Sequence, residues 1–275
     1  MTHSLDIGGS LLLLGAGKMG GAMLEGWLAL GLAPGNVAVL DPHLPAAAAA
    51  QLAEAGIAVN PSLAFLGTPA VVLLAIKPQV MEAALPSVAP LFGPDTLAVS
   101  IMAGKTIAGI AALLPPRTAI VRAMPNTPAA IGRGITAAVP NGFVTPAQKE
   151  AADALLRATG ALEWIDDESL IDAVTAVSGS GPAYVFHLVE ALAAAGSAAG
   201  LPADLAMRLA RATVAGSGEL LHRSDQPAGT LRQNVTSPGG TTAAALAVLM
   251  GEGGLASLME KAVLAAKKRA GELAS

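Results

Sequence analysis

Three clusters in this chain carry residues whose types and spacing could do chemistry. The first is Gly15-Ala16-Gly17-Lys18-Met19-Gly20, which fits G-x-G-x-x-G directly after an apolar run and at the head of a helical pattern. Glycines at that spacing permit a tight turn and close backbone approach, and the helix start aims free N–H groups and partial positive charge at a pyrophosphate. A Gly-rich turn that merely packs helix on strand is the plainer alternative. The second cluster comprises residues that end later apolar runs. Asp41 follows "VAVL" about 20 residues beyond Gly20, where a carboxylate accepts hydrogen bonds from an adenosine ribose and repels a 2′-phosphate. With no Arg or Lys in "DPHLPAAAAAQ", this local chemistry favours NADH, unless Asp41 only starts the Asp-Pro turn. Ala75-Ile76-Lys77-Pro78 closes "VVLLAI", Met102-Ala103 lies in "IMAG", and Asn126 sits in "MPNTP". Each follows a strand candidate, where ligands of a parallel sheet bind. Lys77 can equally be a solvated strand-end lysine, and Asn126, rigid between prolines, suits a ring-positioning residue or a plain tight loop. The third cluster, Ser237-Pro238-Gly239-Gly240-Thr241-Thr242, starts a helical run with little but two glycines and two hydroxyls.

These residues need elements to position them. Leu11–Leu14, Val37–Leu40, Val71–Ile76 and Leu97–Ile101 are short, almost wholly apolar runs, read as buried parallel strands; Ala119–Arg122 and Ile135–Val139 are further strand candidates. Lys18–Leu30 and the alanine tract Ala46–Ala55 read as helices. The βαβ spacing over residues 1–166 predicts a doubly wound, mostly parallel sheet. The character changes near Trp164. Residues 167–275 offer no convincing strand, and helical patterns cover about Glu168–Val177, Pro182–Ala199, Pro202–Leu221, Thr230–Asn234, Thr242–Met250 and Gly254–Gly271. The chain is therefore expected to be an α/β protein with an all-α C-terminal domain. The run "AYVFHLVEALAAAGSAAG" is apolar nearly all round, which predicts burial on every side and a second subunit as its cover. His187 within it reads as a packed, hydrogen-bonded histidine.

Composition narrows the function classes. Charged residues are 13% and hydrophobic ones 53%, so part of the surface is expected to lie against partner subunits. A net charge of −4 gives no basic field for nucleic acid. The absence of cysteine excludes disulfides, thiolate nucleophiles and Cys-based zinc sites. The N-terminus lacks a basic n-region, and its four-residue apolar run is too short for a signal peptide or membrane span. A soluble, cytoplasmic protein is expected, with roughly the first ten residues as a loose extension. His3, His43, His187 and His222 are scattered and no carboxylate pair has ligand spacing, so no metal site is expected. "VSGSGPAY" contains G-S-G but no strand-borne nucleophile elbow.

The motifs "GAGKMG", "AIKPQ", "VSIMAGKTI", "RAMPNTPAAIGRGITA", "VSGSGPAYVFHLVEALAAAG" and "NVTSPGGTTAAALAVL", in this order and over nearly the whole chain, closely resemble pyrroline-5-carboxylate reductase. The resemblance implies a Rossmann domain followed by a helical domain that intertwines with a neighbour, giving a homodimer or a ring of dimers. It implies reduction of 1-pyrroline-5-carboxylate to L-proline, the last step of proline synthesis, with NADPH commonly preferred over NADH. Asp41 stands where many members carry small or basic residues, so the implied coenzyme preference and the local chemistry pull apart.

The implied substrate is a five-membered cyclic imine bearing a carboxylate. Gly239, Gly240, Thr241 and Thr242 would then offer amides and a helix dipole to that carboxylate, with an ordinary loop capped by Thr241 as the alternative. The dipole contributes on the order of 0.3–2 kcal/mol and each charge-assisted hydrogen bond ~1.5–3 kcal/mol, enough to anchor a small acid without arginine. The resemblance maps a substrate-contacting, catalytic threonine onto Thr242, which could donate to the ring nitrogen, and an asparagine near the ligand onto Asn234. Ser178, Gly179 and Ser180 would line the same pocket. Two rivals are another imine- or β-hydroxyacid-type NAD(P)-dependent dehydrogenase, for which the helical domain lacks a well-placed lysine, and a non-catalytic nucleotide-sensing Rossmann protein.

Overall fold

The computed structural model describes residues 5–274. Its strands are β1 (Leu11–Leu14), β2 (Val37–Leu40), β3 (Ala58–Val59), β4 (Val71–Leu74), β5 (Leu97–Ser100), β6 (Ala119–Met124), β7 (Gly134–Pro140) and β8 (Gly160–Trp164). Its helices are α1 (Lys18–Ala29), α2 (Ala46–Glu54), α3 (Met81–Val88), α4 (Ile107–Ala111), α5 (Pro146–Arg157), α6 (Ile171–Val174), α7 (Gly181–Ala198), α8 (Ala203–Arg223), α9 (Ala228–Asn234), α10 (Thr241–Leu249) and α11 (Leu255–Ala274). Two compact units result, one comprising the chain up to Gly179 together with Lys267 onward, the other Ser180–Ala266.

The first unit is built on a single sheet in the order β3-β2-β1-β4-β5-β6-β7-β8. All neighbours pair in parallel except β6 with β7. The apolar runs of β1 and β4 are buried throughout because helices cover both faces. Alternate side chains serve opposite layers. Leu11, Leu13, Leu73, Val99 and Val121 pack with Met23 and Trp27 of α1 and Leu155 and Leu156 of α5. Leu12, Leu14, Val72, Leu74 and Ile120 pack with Met81, Leu85 and Ile110 of α3 and α4. Trp27 Nε1 donates to the Leu155 carbonyl at 2.8 Å, so the buried indole leaves no polar atom unpaired.

Several elements depart from the sequence reading. Residues 5–10 are no loose extension: the Leu5 amide donates to Leu30 O at 3.1 Å and Ile7 is buried in the core. His3 lies outside the described residues. The helices α3, α4 and α5 and the strands β3 and β8 lie outside the elements read from the sequence, although α5 is clearly amphipathic, burying Ala152, Leu155 and Leu156. Pro86 interrupts the helical pattern of α3, and α5 opens on the reciprocal cap of Thr145 and Gln148. The expected helix Glu168–Val177 is instead a 3₁₀ turn (Glu168–Leu170), the single α turn α6 and a π-helical turn, Thr175–Gly179.

The second unit is helical, and α7 packs against α8. Within one chain α7 is not buried on every side. Phe186 is 66% exposed, Leu188 and Leu192 are also exposed, and His187 is not packed but solvent-facing, 3.1 Å from Glu190. One neighbouring helix cannot cover a helix that is apolar all round. No described helix is long and apolar enough to cross a membrane.

Candidate active site

The strand order reverses between β1 and β4, and a doubly wound sheet opens a crevice at such a point, beyond the carboxyl ends of its strands. Gly15 turns the chain there with φ +87°, and a Cβ on it would stand 2.7 Å from the Ala75 carbonyl oxygen. Gly20 lies against the Gly15 carbonyl so closely that a Cβ would clash outright. Both glycines are thus required by packing. Gly17 is different: a Cβ there would meet nothing within 4 Å, and as N-cap of α1 it provides no side-chain acceptor. The turn therefore leaves an open approach to the first amides of α1, beside Lys18 and Met19, and its residues fit a dinucleotide diphosphate.

The other residues singled out in the first unit collect at the same edge. Asp41 ends β2, with Oδ2 accepting from the Ala16 amide at 2.9 Å and Oδ1 from the His43 amide at 2.9 Å. The carboxylate thus both starts the turn and ties the glycine loop to β2, with lone pairs to spare for a ribose. Ala75 and Ile76 continue β4 half-buried, and the Ala75 amide donates to Leu14 O at 2.8 Å. Lys77 is exposed and caps the 3₁₀ turn that begins at Pro78. Met102 is buried and Ala103 exposed beyond β5. Asn126 follows β6, its Oδ1 accepting from the Ile135 amide at 2.9 Å, so the side chain fastens the start of β7. A cavity of about 540 Å³ at the opposite, amino-terminal edge, lined by residues such as Gly9, Ala70 and Gln148, holds none of these groups.

Sequence reasoning missed a buried ion pair behind this edge. Arg122 of β6 is 4% exposed and donates to Glu168 Oε1 at 2.7 Å; the same oxygen accepts the Ile107 amide at 2.8 Å. One carboxylate thereby joins β6, the head of α4 and the approach to α6. An arginine inside the apolar run "AIVRAM" was the available signal. Beyond α6 the π turn presses Gly179 against Met124, where a Cβ would stand 2.7 Å from Cε. In the same turn Ser178 Oγ is buried with no hydrogen-bond partner. π turns interrupt helices frequently at functional sites, and an orphaned buried hydroxyl calls for an explanation.

In the second unit, Ser180 caps α7 and Asn234 ends α9, exposed, with Nδ2 3.2 Å from Gln226 Oε1. Gly239 takes φ +70°, a conformation that favours glycine, and a Cβ there would meet nothing within 4 Å. The N-cap of α10 is Gly240, not Thr241, and no side chain caps the helix. Thr241 and Thr242 form the first turn, with Thr242 half-buried. The helix therefore starts with amides that no side chain of its own serves.

Comparison with known proteins places the chain in a family. Residues 168–273 match a family model described as pyrroline-5-carboxylate reductase dimerisation, and residues 10–104 match one described as NADP oxidoreductase coenzyme F420-dependent. The pyrroline-5-carboxylate reductase of Pseudomonas aeruginosa is 40% identical over 95% of each chain. Among solved structures, a pyrroline-5-carboxylate reductase from Coxiella burnetii superposes with TM-score 0.89 at 33% identity, covering 97% of this chain and 99% of the other. The Plasmodium falciparum pyrroline carboxylate reductase with NADP bound superposes with TM-score 0.81 at 29% identity, covering 98% and 99%. With likeness of this degree along both the sheet and the helices, the chain belongs to the pyrroline-5-carboxylate reductase family.

Proposed function

We infer that the protein reduces 1-pyrroline-5-carboxylate to L-proline with NAD(P)H. The observation that carries this is identity of 40% over 95% of both chains to a reductase of that name. The glycine turn at the switch point supports the same reading. The bound coenzyme supplies the hydride that the imine carbon receives. Gly15 to Gly20 would hold the diphosphate, with Asp41 near the adenosine ribose. Ala75, Ile76, Lys77, Pro78, Met102, Ala103 and Asn126 would line the rest of the coenzyme path along the strand ends.

The helical segment from residue 167 onward is read as the substrate-binding and dimerisation domain. The amides of Gly239, Thr241 and Thr242 suit the carboxylate of a small acid, helped by the positive end of α10, while the Gly240 amide donates to Ser237 O at 3.0 Å and that residue leaves the approach free of a side chain. Thr242 would donate to the ring nitrogen, and Ser178, Gly179, Ser180 and Asn234 would bound the imine. No strong acid is needed for an imine that protonates from solvent, so the protein's task is chiefly alignment. The assembly is read as a homodimer or a ring of dimers, and the lack of cysteine suits the reducing cytoplasm.

One assay tests the reading: loss of reduced-nicotinamide absorbance when pyrroline-5-carboxylate is added to enzyme and NADPH or NADH, with proline as the product. No absorbance loss with either coenzyme would refute it.

A further inference from the structure

β3 ends at Val59, and Asn60 follows with φ +47°, in the left-handed region that asparagine tolerates better than most residues. Its amide completes the ladder by donating to Val39 O at 2.8 Å. Its carboxamide then does the work of one more strand residue. Oδ1 accepts from the Asp41 amide at 2.8 Å, and Nδ2 donates to the Asp41 carbonyl at 2.9 Å. A single side chain thus holds both polar groups of the Asp41 backbone. Asp41 in turn holds the Ala16 amide through Oδ2 at 2.9 Å, directly after the bond from the Gly15 amide to Leu40 O, also 2.9 Å. The glycine turn is stitched to the end of β2 by two successive bonds, and the second depends on where the backbone of Asp41 sits.

We propose that Asn60 is a positioning residue for the dinucleotide site: through Asp41 it fixes Ala16 and holds the glycine turn in its binding shape before the coenzyme arrives. The inference rests on the assignment of that turn to the coenzyme diphosphate. Rigid placement of a loop removes an ordering cost from binding. The clamp grips backbone and reads nothing at the ribose 2′ position, so it serves NADH and NADPH alike. It stands at the far end of the coenzyme from the reacting ring, so its loss falls on coenzyme affinity and leaves the chemical step alone.

The test is Asn60→Gly, which keeps the left-handed backbone comfortable and deletes only the carboxamide. Direct titration with NADPH and with NADH, followed by intrinsic or coenzyme fluorescence, is expected to show both Kd values raised about five- to tenfold, the effect of roughly one lost hydrogen bond. At saturating coenzyme, kcat and the KM for pyrroline-5-carboxylate are expected to stay within about twofold of the natural enzyme. Asn60→Asp keeps the acceptor for the Asp41 amide but sets a carboxylate oxygen against the Asp41 carbonyl, so its Kd values should rise at least as much as those of Asn60→Gly; it also serves if Asn60→Gly does not fold. Asp41→Ala should weaken binding at least as much, and adding Asn60→Gly to it should weaken binding no further, because both act through one chain of contacts. Unchanged Kd values, a change confined to one coenzyme, or damage centred on the imine KM would overturn the proposal. Gly17→Val separates the two levels. If it leaves NADPH binding intact, the assignment of the turn falls and this inference with it. If it abolishes binding while Asn60→Gly does nothing, only the role of Asn60 falls.

Discussion

Residues chosen for geometry and residues chosen for chemistry separate clearly at this site. Gly15 and Gly20 are fixed by packing against Ala75 and against each other, whereas Gly17 and Gly239 leave space that nothing in the chain fills. The spacing of the glycine turn was legible in the sequence because it is local. The double duty of Asp41 was not, since the Ala16 amide it holds lies 25 residues away. Asn60 carried no signal at all: an asparagine before proline reads as a turn, and its partners come from another strand. Ser178 was reached only through the family resemblance, and its orphaned hydroxyl emerges from the packing of the π turn. A buried unpaired hydroxyl costs about 1–3 kcal/mol. Ser178→Ala is therefore expected to leave Tm unchanged or slightly raised while lowering kcat/KM for the imine by roughly tenfold. Lost stability with full activity would show that Ser178 is merely structural. Thr242→Ala is expected to lower kcat and raise the imine KM, with the Kd for NADPH within about twofold of its natural value. An unaltered kcat/KM would remove Thr242 from the reaction. Asp41→Ser should weaken both coenzymes but shift the ratio of kcat/KM values toward NADPH, because a carboxylate no longer faces the 2′-phosphate; a fixed ratio would mean that Asp41 serves the loop alone.

At the scale of elements, continuous apolar runs made β1, β2, β4 and β5 readable, since strands covered on both faces need no polar residue. The elements that escaped, α3 to α5 and β8, are tied in by tertiary bonds as well as by their own patterns. Asp153 of α5 illustrates this. It accepts from Arg157 at 2.6 Å and from the Trp164 indole of β8 at 3.0 Å, so one carboxylate staples helix to strand. Burial works to raise its pKa, but the hydrogen bonds from Arg157 and Trp164, with the charges of Arg157 and Lys149, together hold the carboxyl below the ordinary carboxylate range. A depressed folded-state value means that the stabilisation is present above the unfolded pKa, about 4, and is lost as pH falls through the folded one. Asp153→Asn should therefore destabilise the protein at neutral pH and flatten the fall of Tm below about pH 4. A parallel acid limb in both proteins would rule the staple out. The Arg122–Glu168 pair has a harsher logic, because Glu168→Ala leaves a guanidinium buried without its partner. Breaking such a pair costs about 3–5 kcal/mol, and chemical denaturation should register most of it.

For the whole molecule, the decisive feature is apolar surface that one chain cannot bury. Phe186, Leu220 and Leu258 are each more than half exposed, in a chain whose charged residues are only 13% of the total. The all-round apolar pattern of α7 was legible as a demand for a cover. Which face receives that cover was not, since a second chain is no part of the local sequence pattern. Soluble proteins rarely leave contiguous apolar patches open, and the match of residues 168–273 to a dimerisation module supplies the reason here. Interfaces of obligate homodimers bury about 2,000–5,000 Å², and at ~25 cal/mol per Å² of apolar area the gross gain far exceeds the cost of association. Sedimentation at micromolar concentration should accordingly give a mass of at least two chains, with Tm rising with concentration. A charge set into the patch by Phe186→Asp should lower that mass and cost several degrees of Tm, because the aspartate must either be desolvated or hold the chains apart. The substitution lies on α7, away from the glycine turn in sequence and outside the first unit, so NADPH binding should survive it. If the natural chain sediments as a monomer, or if Phe186→Asp leaves the assembly intact, then α7 is not the face that pairs and its exposed side chains need another partner.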